Sequence, residues 1–518
     1  MKIKVLILLC FTYLLFFYNL GGIALWDPDE PRQAIMAREM MERHDYIHPY
    51  LNGKPYLEKP PFYPWMIIAA SKVTGTLNEF SARMPAAVSA TMLVLVTFML
   101  GSVLLDARGG LISAAILATN YQFLSNARES VMDMTFAFFI GLTIYLTYLA
   151  LRRRHKWLFA LAFLPSALAI LTKGPAGLVI PAGVIFIFII KEKEVKRFFG
   201  PMALGCLLST AIASIWFIMA GPEYIKEFIV HQNFTRYTNA FDHAESLGYY
   251  FHKLFINFLP WSIFLPFAVY HGYRKKYWLP FIWFVFTFLF FEFSTSKRAI
   301  YLLSCYPAIA LLSGFYLRDK WSELVHRGIP GYLLKALAVL LAFLPIVSVV
   351  VLRNVSNQTL EVFRSGPSVL YLYLGLLFVA GGAFFTCLLK KLEKGALISF
   401  FVYLTISGLF YNVLYMPVID EAFKSPLRIT DKLKSLTESR DIWTFGFSSA
   451  GLIYYVGKPI HMFLSVKQIK EDKRDILLIV EDRETSRLQR ELNARYVPVG
   501  KARYEKEYYT FYVRKDGR

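Results

Sequence analysis

The sequence predicts an all-α polytopic membrane bundle of about thirteen transmembrane helices, followed by a small C-terminal α/β domain outside the membrane. Three observations carry that expectation. The 518 residues are 56% hydrophobic and 17% aromatic, well beyond a soluble composition. Long apolar segments recur at residues 3–20, 83–105, 109–126, 131–151, 156–172, 175–190, 198–220, 251–270, 277–293, 299–317, 331–352, 368–389 and 395–415, each near the length that a hydrocarbon core requires. The tail from residue 417 to 518 breaks that pattern and reads as short strands and a helix.

The first segment, "VLILLCFTYLLFFYNL", follows Lys2 and Lys4 as the core of a secretory signal would. "GGIALW" is a poor small-residue cleavage site, so the segment is read as an anchor. With the N-terminus in the cytoplasm, the clusters "RRRHK" (152–156), "KEKEVKR" (191–197), "YRKK" (273–276) and "KKLEK" (390–394) all fall inside, as the positive-inside rule expects. That agreement requires "FYPWMIIAA" (62–70) not to span. It is too short to do so, and Phe62, Tyr63 and Trp65 suit the membrane interface. The expected organisation is a membrane domain at 1–416, with external loops at 21–82 and 221–250, and an extracytoplasmic α/β domain at 417–518. The chain is placed in the cytoplasmic (inner) membrane as a multi-pass protein, with the 21–82 loop and the tail external.

The net charge of +20 would suggest nucleic acid in a soluble protein, but here it distributes around a bilayer, and no nucleic-acid partner is expected. Cys10, Cys206, Cys305 and Cys387 lie in apolar segments without paired spacing and read as small hydrophobes. In the first loop, Pro31 suits an opening helical turn. Ala34, Ala37 and Met41, with Met36 and Met40, oppose Arg32, Glu39 and Arg43, which predicts a helix lying on the outer membrane surface. "NGKP" (52–55) is a turn, and "EKPP" leads into a second interfacial helix. In the tail, "DIWTFGF", "DILLIVED" and "YYTFYVRK" read as strands and "SRLQRELNA" as a helix.

Chemistry gathers at the outer face. Asp27, Asp29 and Glu30 follow the first span within a few residues, where a carboxylate is candidate base or metal ligand, or else caps the helix that begins at Pro31. Arg128, Lys173, Arg236, Lys297 and Arg298 are cations on the side that the positive-inside rule disfavours, and Asp133 opens a span nearby. Each is a functional candidate unless it snorkels to headgroups. His231 in the 221–250 loop, with Glu58, would make two ligands of a metal site; as a lone loop histidine it is ordinary surface. Carboxylates beside cations, over a bundle wide enough for a lipid, suit a substrate with an interfacial phosphate and a long apolar tail. A departing phosphate needs cations, and an attacking hydroxyl needs a carboxylate base.

"DPDEPRQAIMAREMMERHDYIHPYLNGKPYLEKPPFYPW", with "SVMDM", "LTKGPAG" and "KRAIYLLSCYP", resembles the polyprenyl-phosphate-sugar glycosyltransferases of the C-type superfamily. The nearest likeness is to lipid A aminoarabinose transferases and to bacterial proteins of the dolichyl-phosphate-mannose-protein mannosyltransferase type. The family pattern has Thr before the arginine and Tyr after it, where this chain has Pro31 and Gln33. The resemblance implies the C-type glycosyltransferase fold, a catalytic Asp29 with Asp133 as a second acidic position, and donor-phosphate contacts by Arg32, Lys59, Lys173 and Arg236. Lys297 and Arg298 join that set from their position, and Glu58 with His231 is assigned a metal (Zn, Mg or Mn) or structural role. The implied activity moves a sugar such as aminoarabinose or a hexose from a polyprenyl (undecaprenyl) phosphate to lipid A, a protein or another envelope glycoconjugate. The alternative is a lipid-linked-sugar flippase or transporter, for which charges nearer the bilayer midplane are expected.

Overall fold

The computed structural model describes residues 2–238, 242–326, 329–354, 368–433, 436, 440–504 and 507–515. It forms two compact units, one of Met1–Leu20, Leu57–Tyr63 and Arg83–Leu414, the other of Gly21–Tyr56, Pro64–Ala82 and Tyr415–Arg518.

The first unit is helical. Among the described residues, eight helices are long and apolar enough to cross a membrane, including Met132–Arg152, Val195–Ala220, Ala299–His326 and Val369–Leu389. Three shorter apolar helices, Ala107–Thr119, Ala176–Lys191 and Trp278–Glu292, occupy other expected segments. The N-terminal segment is an α-helix over Lys2–Thr12 that continues as a π-helical turn over Tyr13–Phe17. The multi-span architecture is therefore the one the apolar runs predict.

One segment departs from a straight span. The 251–270 run folds as Tyr249–Asn257 and Trp261–Arg274, bent by 118°. Pro260 between them has no N–H to carry the helical ladder. Trp261 is buried after the bend, with its Nε1 donating to Thr119 Oγ1 at 3.0 Å.

Loops assigned to one side of the membrane meet one another. On the side of the basic clusters, Arg318 Nη2 pairs with Asp106 Oδ2 at 2.6 Å, Arg154 with Glu194 at 3.3 Å, and Trp321 Nε1 donates to the Glu393 carbonyl at 2.8 Å. At the other ends of the helices, Lys173 pairs with Asp133, and Thr295 N donates to the Tyr237 carbonyl at 3.0 Å. Short connections between successive spans produce this alternation.

The second unit joins the first loop to the tail. A hairpin pairs β1 (Tyr50–Leu51) with β2 (Lys54–Pro55). Asn52 and Gly53 between them have φ of 55° and 79°, as a tight type I′ hairpin requires. The tail forms a five-stranded sheet from β3 (Asp441–Phe445), β4 (Ile460–Phe463), β5 (Ile476–Glu481), β6 (Tyr496–Tyr504) and β7 (Glu507–Arg514), in the order β4-β3-β5-β7-β6. β3 runs parallel to β4 and β5, and β7 antiparallel to β5 and β6. "ILLIVE" is buried along its whole length because β5 is central and covered on both faces. Helix Asp482–Arg495 covers one face with Leu488 and Leu492. The other face is covered by Ile429, Leu452 and Ile453 of the tail and by Ile35 of the first loop.

That last contact brings the first loop's helix into the core of the α/β unit. Helix Asp29–Arg43 buries Gln33, Ala34, Ile35, Met36, Ala37, Glu39 and Met40, more than one face. Ile35 joins the core of the α/β unit, and Ala34 packs with Leu25 and Ala82.

Candidate active site

The three carboxylates that follow the first span have different surroundings, all within the second unit. Residues 24–26 belong to no named helix or strand, and their backbone N–H groups donate to side chains. Ala24 N donates to Asp420 Oδ2 at 3.1 Å, Leu25 N to Tyr455 Oη at 2.7 Å, and Trp26 N to Glu30 Oε2 at 3.0 Å. Glu30, in the first turn of helix Asp29–Arg43, is buried and ties that turn to the segment before it. Asp27 accepts from Ser449 Oγ at 2.5 Å and Tyr504 Oη at 2.7 Å on Oδ2, and from Gly451 N at 2.8 Å on Oδ1. Asp29 opens helix Asp29–Arg43, its side chain is 30% exposed, and Arg32 Nη1 lies 3.7 Å from its Oδ1. Of the three, Asp29 combines an accessible carboxylate with a neighbouring guanidinium.

The first unit contains a cavity of about 310 Å³, lined by Lys59 and Lys173 and by apolar or aromatic side chains that include Phe136, Val179, Phe290 and Tyr301. This is the lower end of the range for ligand-binding cavities. Lys173 ends helix Leu164–Lys173 and pairs with Asp133 in the opening turn of Met132–Arg152, both side chains being largely buried. Its Nζ also lies 4.0 Å from the centre of the Tyr301 ring. Lys59 Nζ lies 5.9 Å from the Phe228 ring. Gly174 turns the chain out of the helix at φ +113°, and a Cβ there would stand 2.7 Å from Asn233 Oδ1 and 2.9 Å from Phe228 Cζ. Only glycine fits beneath that loop.

Ser296, which precedes Lys297, also lines the cavity, while Lys297 itself is 3% exposed and donates from Nζ to the Glu245 carbonyl at 3.1 Å. Arg298 supplies the carbonyl that accepts from Tyr250 Oη at 3.2 Å and precedes the 3-10 turn Ala299–Cys305. Arg236 begins the turn Arg236–Thr238, and its side chain lies outside the described residues. Arg128 has a structural reason for its place. Its guanidinium donates to the carbonyls of Phe16, Tyr18 and Asn19 at 2.9–3.0 Å, capping the end of the first helix. Burial, with the nearby Arg83 charge, pushes its pKa down to about 10, still charged at neutral pH.

His231 Nδ1 lies 3.1 Å from Glu227 Oε1, and Glu58 is exposed. Among the described residues no three His, Cys, Asp or Glu side chains converge as a metal site requires. No step is assigned to a metal, and Glu58 with His231 stays a proposed pair of ligands. Sequence reasoning passed over Tyr237 and Asn233. The polar run "NFTRYT" beside Arg236 was their only signal.

Residues 58–218 match the family model described as dolichyl-phosphate-mannose-protein mannosyltransferase. An uncharacterised protein of Aquifex aeolicus is 32% identical over 327 residues, which are 61% of this chain and 64% of that protein. The undecaprenyl phosphate-alpha-4-amino-4-deoxy-L-arabinose arabinosyl transferase of Yersinia pestis is 25% identical over 338 residues, 62% of this chain and 61% of the relative. The chain thus spans less than two thirds of the length of these curated relatives. In three dimensions it superimposes on ArnT from Cupriavidus metallidurans, solved with undecaprenyl phosphate, at a TM-score of 0.77 and 20% identity, covering 98% of this chain and 97% of that one. By sequence and by fold, the chain resembles the C-type polyprenyl-phosphate-sugar glycosyltransferases of the aminoarabinose transferase and O-mannosyltransferase group.

Proposed function

We propose that the protein is an integral membrane glycosyltransferase that moves a sugar from a polyprenyl phosphate to lipid A or another envelope glycoconjugate, at the outer face of the cytoplasmic membrane. The observation that carries this reading is the cavity of the helical unit, where Lys59 and Lys173 stand among apolar walls. Two ammonium groups suit a phosphate, and the walls suit the first units of its isoprenoid tail. The names of the relatives, which include an undecaprenyl phosphate-dependent arabinosyl transferase, support transfer over transport.

In the proposed step the bond from the sugar's anomeric carbon to the phosphate oxygen breaks, and a bond from that carbon to an acceptor oxygen forms. Polyprenyl phosphate leaves with the electron pair, and cations stabilise its growing charge. Lys173 is the principal one, held in place by Asp133, whose proposed role is electrostatic positioning. Lys59, Arg32, Arg236 and Arg298 are assigned the remaining phosphate contacts, with Lys297 anchoring the loop beside them. Asp29 takes the proton of an acceptor hydroxyl. Where the acceptor is a phosphate, already anionic, no base is needed and Asp29 orients it.

The test is mass spectrometry of lipid A and other envelope glycoconjugates from a deletion strain complemented with wild type or with Asp29→Asn at matched expression. One sugar mass should vanish on deletion and return only with wild type. An unchanged envelope, or full restoration by the variant, would overturn the activity or the assignment of Asp29.

A further inference from the structure

The tail carries no motif that assigns it a role, yet it binds the segment before Asp29 at Ala24 N, Leu25 N, the Trp26 indole and the Asp27 carboxylate. Within the second unit, helix Ala450–Val456 touches that segment at both ends. At its start, Ser449 and Gly451 bind the Asp27 carboxylate, joined by Tyr504 from β6. At its end, Tyr455 Oη accepts from Leu25 N and donates to Glu79 Oε1 at 2.9 Å. Arg38, nine residues beyond Asp29 on the same helix, donates to the carbonyls of Tyr454 at 2.9 Å and Ile453 at 3.2 Å. The fit around Asp27 leaves no slack: a Cβ on Gly451 would stand 3.0 Å from Asp27 Oδ2 and 2.7 Å from Pro426 Cγ.

An irregular segment takes its position from the groups that bond its polar atoms. Here Ala24 N and Leu25 N are held by Asp420 and Tyr455 of the tail, and Trp26 N by Glu30. We infer that the C-terminal α/β unit is a clamp that sets the position of Asp29, with Asp27, Ser449 and Tyr504 as positioning residues. This rests on the proposed role of Asp29. Asp27 is two residues from it, so a shift of the carboxylate's anchor by a few tenths of an ångström passes through Pro28, the helix N-cap, to the reacting group. Reaction rate is steeply sensitive to such displacements, whereas affinity for the donor's phosphate, for which Arg32 is one proposed contact among several and Lys173 the principal one, is less so.

The experiment compares Tyr504→Phe, Asp27→Asn and the double variant in the deletion strain, reading the envelope sugar that deletion removes. Purified variants are assayed alongside for binding of undecaprenyl phosphate. The expected result is product formation reduced about tenfold in each single variant, with undecaprenyl phosphate affinity within about twofold of wild type. The double variant should be no worse than Asp27→Asn alone, since both remove one hydrogen-bond network. A purely structural role would instead lower folded yield and leave turnover per folded molecule unchanged, and that outcome overturns the clamp. If Asp29→Asn is inactive while Tyr504→Phe and Asp27→Asn turn over normally, the clamp fails and the assignment of Asp29 stands. If Asp29→Asn is fully active, that assignment fails first.

Discussion

Replacing Lys173 by methionine should separate the stability of the buried pair from its use in donor binding. Lys173 and Asp133 have side chains 16% and 13% exposed, so their attraction acts in a medium well below the dielectric of water. At an effective dielectric near 20, opposite charges about 4 Å apart attract by about 4 kcal/mol, and this pair is closer. Methionine keeps the length and apolar stem but leaves the Asp133 carboxylate uncompensated. The expected loss is about 3–5 kcal/mol of stability, of which about 1 kcal/mol reflects the lost contact with the Tyr301 ring. Adding Asp133→Asn removes the stranded charge and should restore about 2 kcal/mol or more. Thermal unfolding of the detergent-solubilised protein, wild type against single and double variants, reads these differences. Binding of undecaprenyl phosphate, measured on the same samples, should weaken about tenfold or more in both, because the ammonium is absent from both. Recovery of stability without recovery of binding is the predicted pattern. If the double variant is no more stable than Lys173→Met, the two charges are not mutually compensating. If Lys173→Met binds the lipid as wild type does, Lys173 is not a phosphate ligand.

Three further outcomes are expected. Gly174→Ala places a Cβ against Asn233 and Phe228 at a φ that alanine resists, so it should cost about 1–3 kcal/mol and weaken undecaprenyl phosphate binding; wild-type affinity and melting would refute the packing argument. Arg128→Lys cannot reach the same set of carbonyls with a compact ammonium, and should destabilise by about 1.5–3 kcal/mol; an unchanged melting temperature would show that the cap is dispensable. In the α/β unit, hydrogen bonds from Arg474 hold the buried Asp472 carboxyl below its ordinary range. Its folded pKa lies under the unfolded value of about 3.9, so its stabilisation is present above that pH and is lost as pH falls through the folded value. Amide exchange of residues 472–481 should therefore accelerate on acidification below about pH 4, and Asp472→Asn should flatten that dependence; identical pH profiles would count against the pair.

The α/β unit shows where local signals fail. β5 was legible because a central strand buried on both faces is a continuous apolar run. β6 was not, because Pro498 and Gly500 interrupt its pattern; the strand lies at the sheet edge, with a bulge between them, which tolerates both. β4 is four residues at the opposite edge, too short to announce itself. In the helical unit, the bend at Pro260 escaped the hydropathy reading because an apolar average over 251–270 is blind to a missing backbone donor.

The sequence by itself determined what solvation dictates: which segments enter hydrocarbon, which ends of them are basic, and that carboxylates and cations collect at the opposite ends. Those follow from composition within windows of about twenty residues, since the cost of burying a charge or a free peptide group in lipid is local. The tertiary structure alone decided how that charge is divided. Asp27, Asp29 and Glu30 are indistinguishable as a string, but Asp27 meets Ser449 and Tyr504, which lie 422 and 477 positions away. Likewise Lys173 finds Asp133 across two helices, while Lys297 is taken up by a backbone carbonyl. A hydrogen bond or ion pair depends on the distance between side chains, and that distance exists only once the chain has folded.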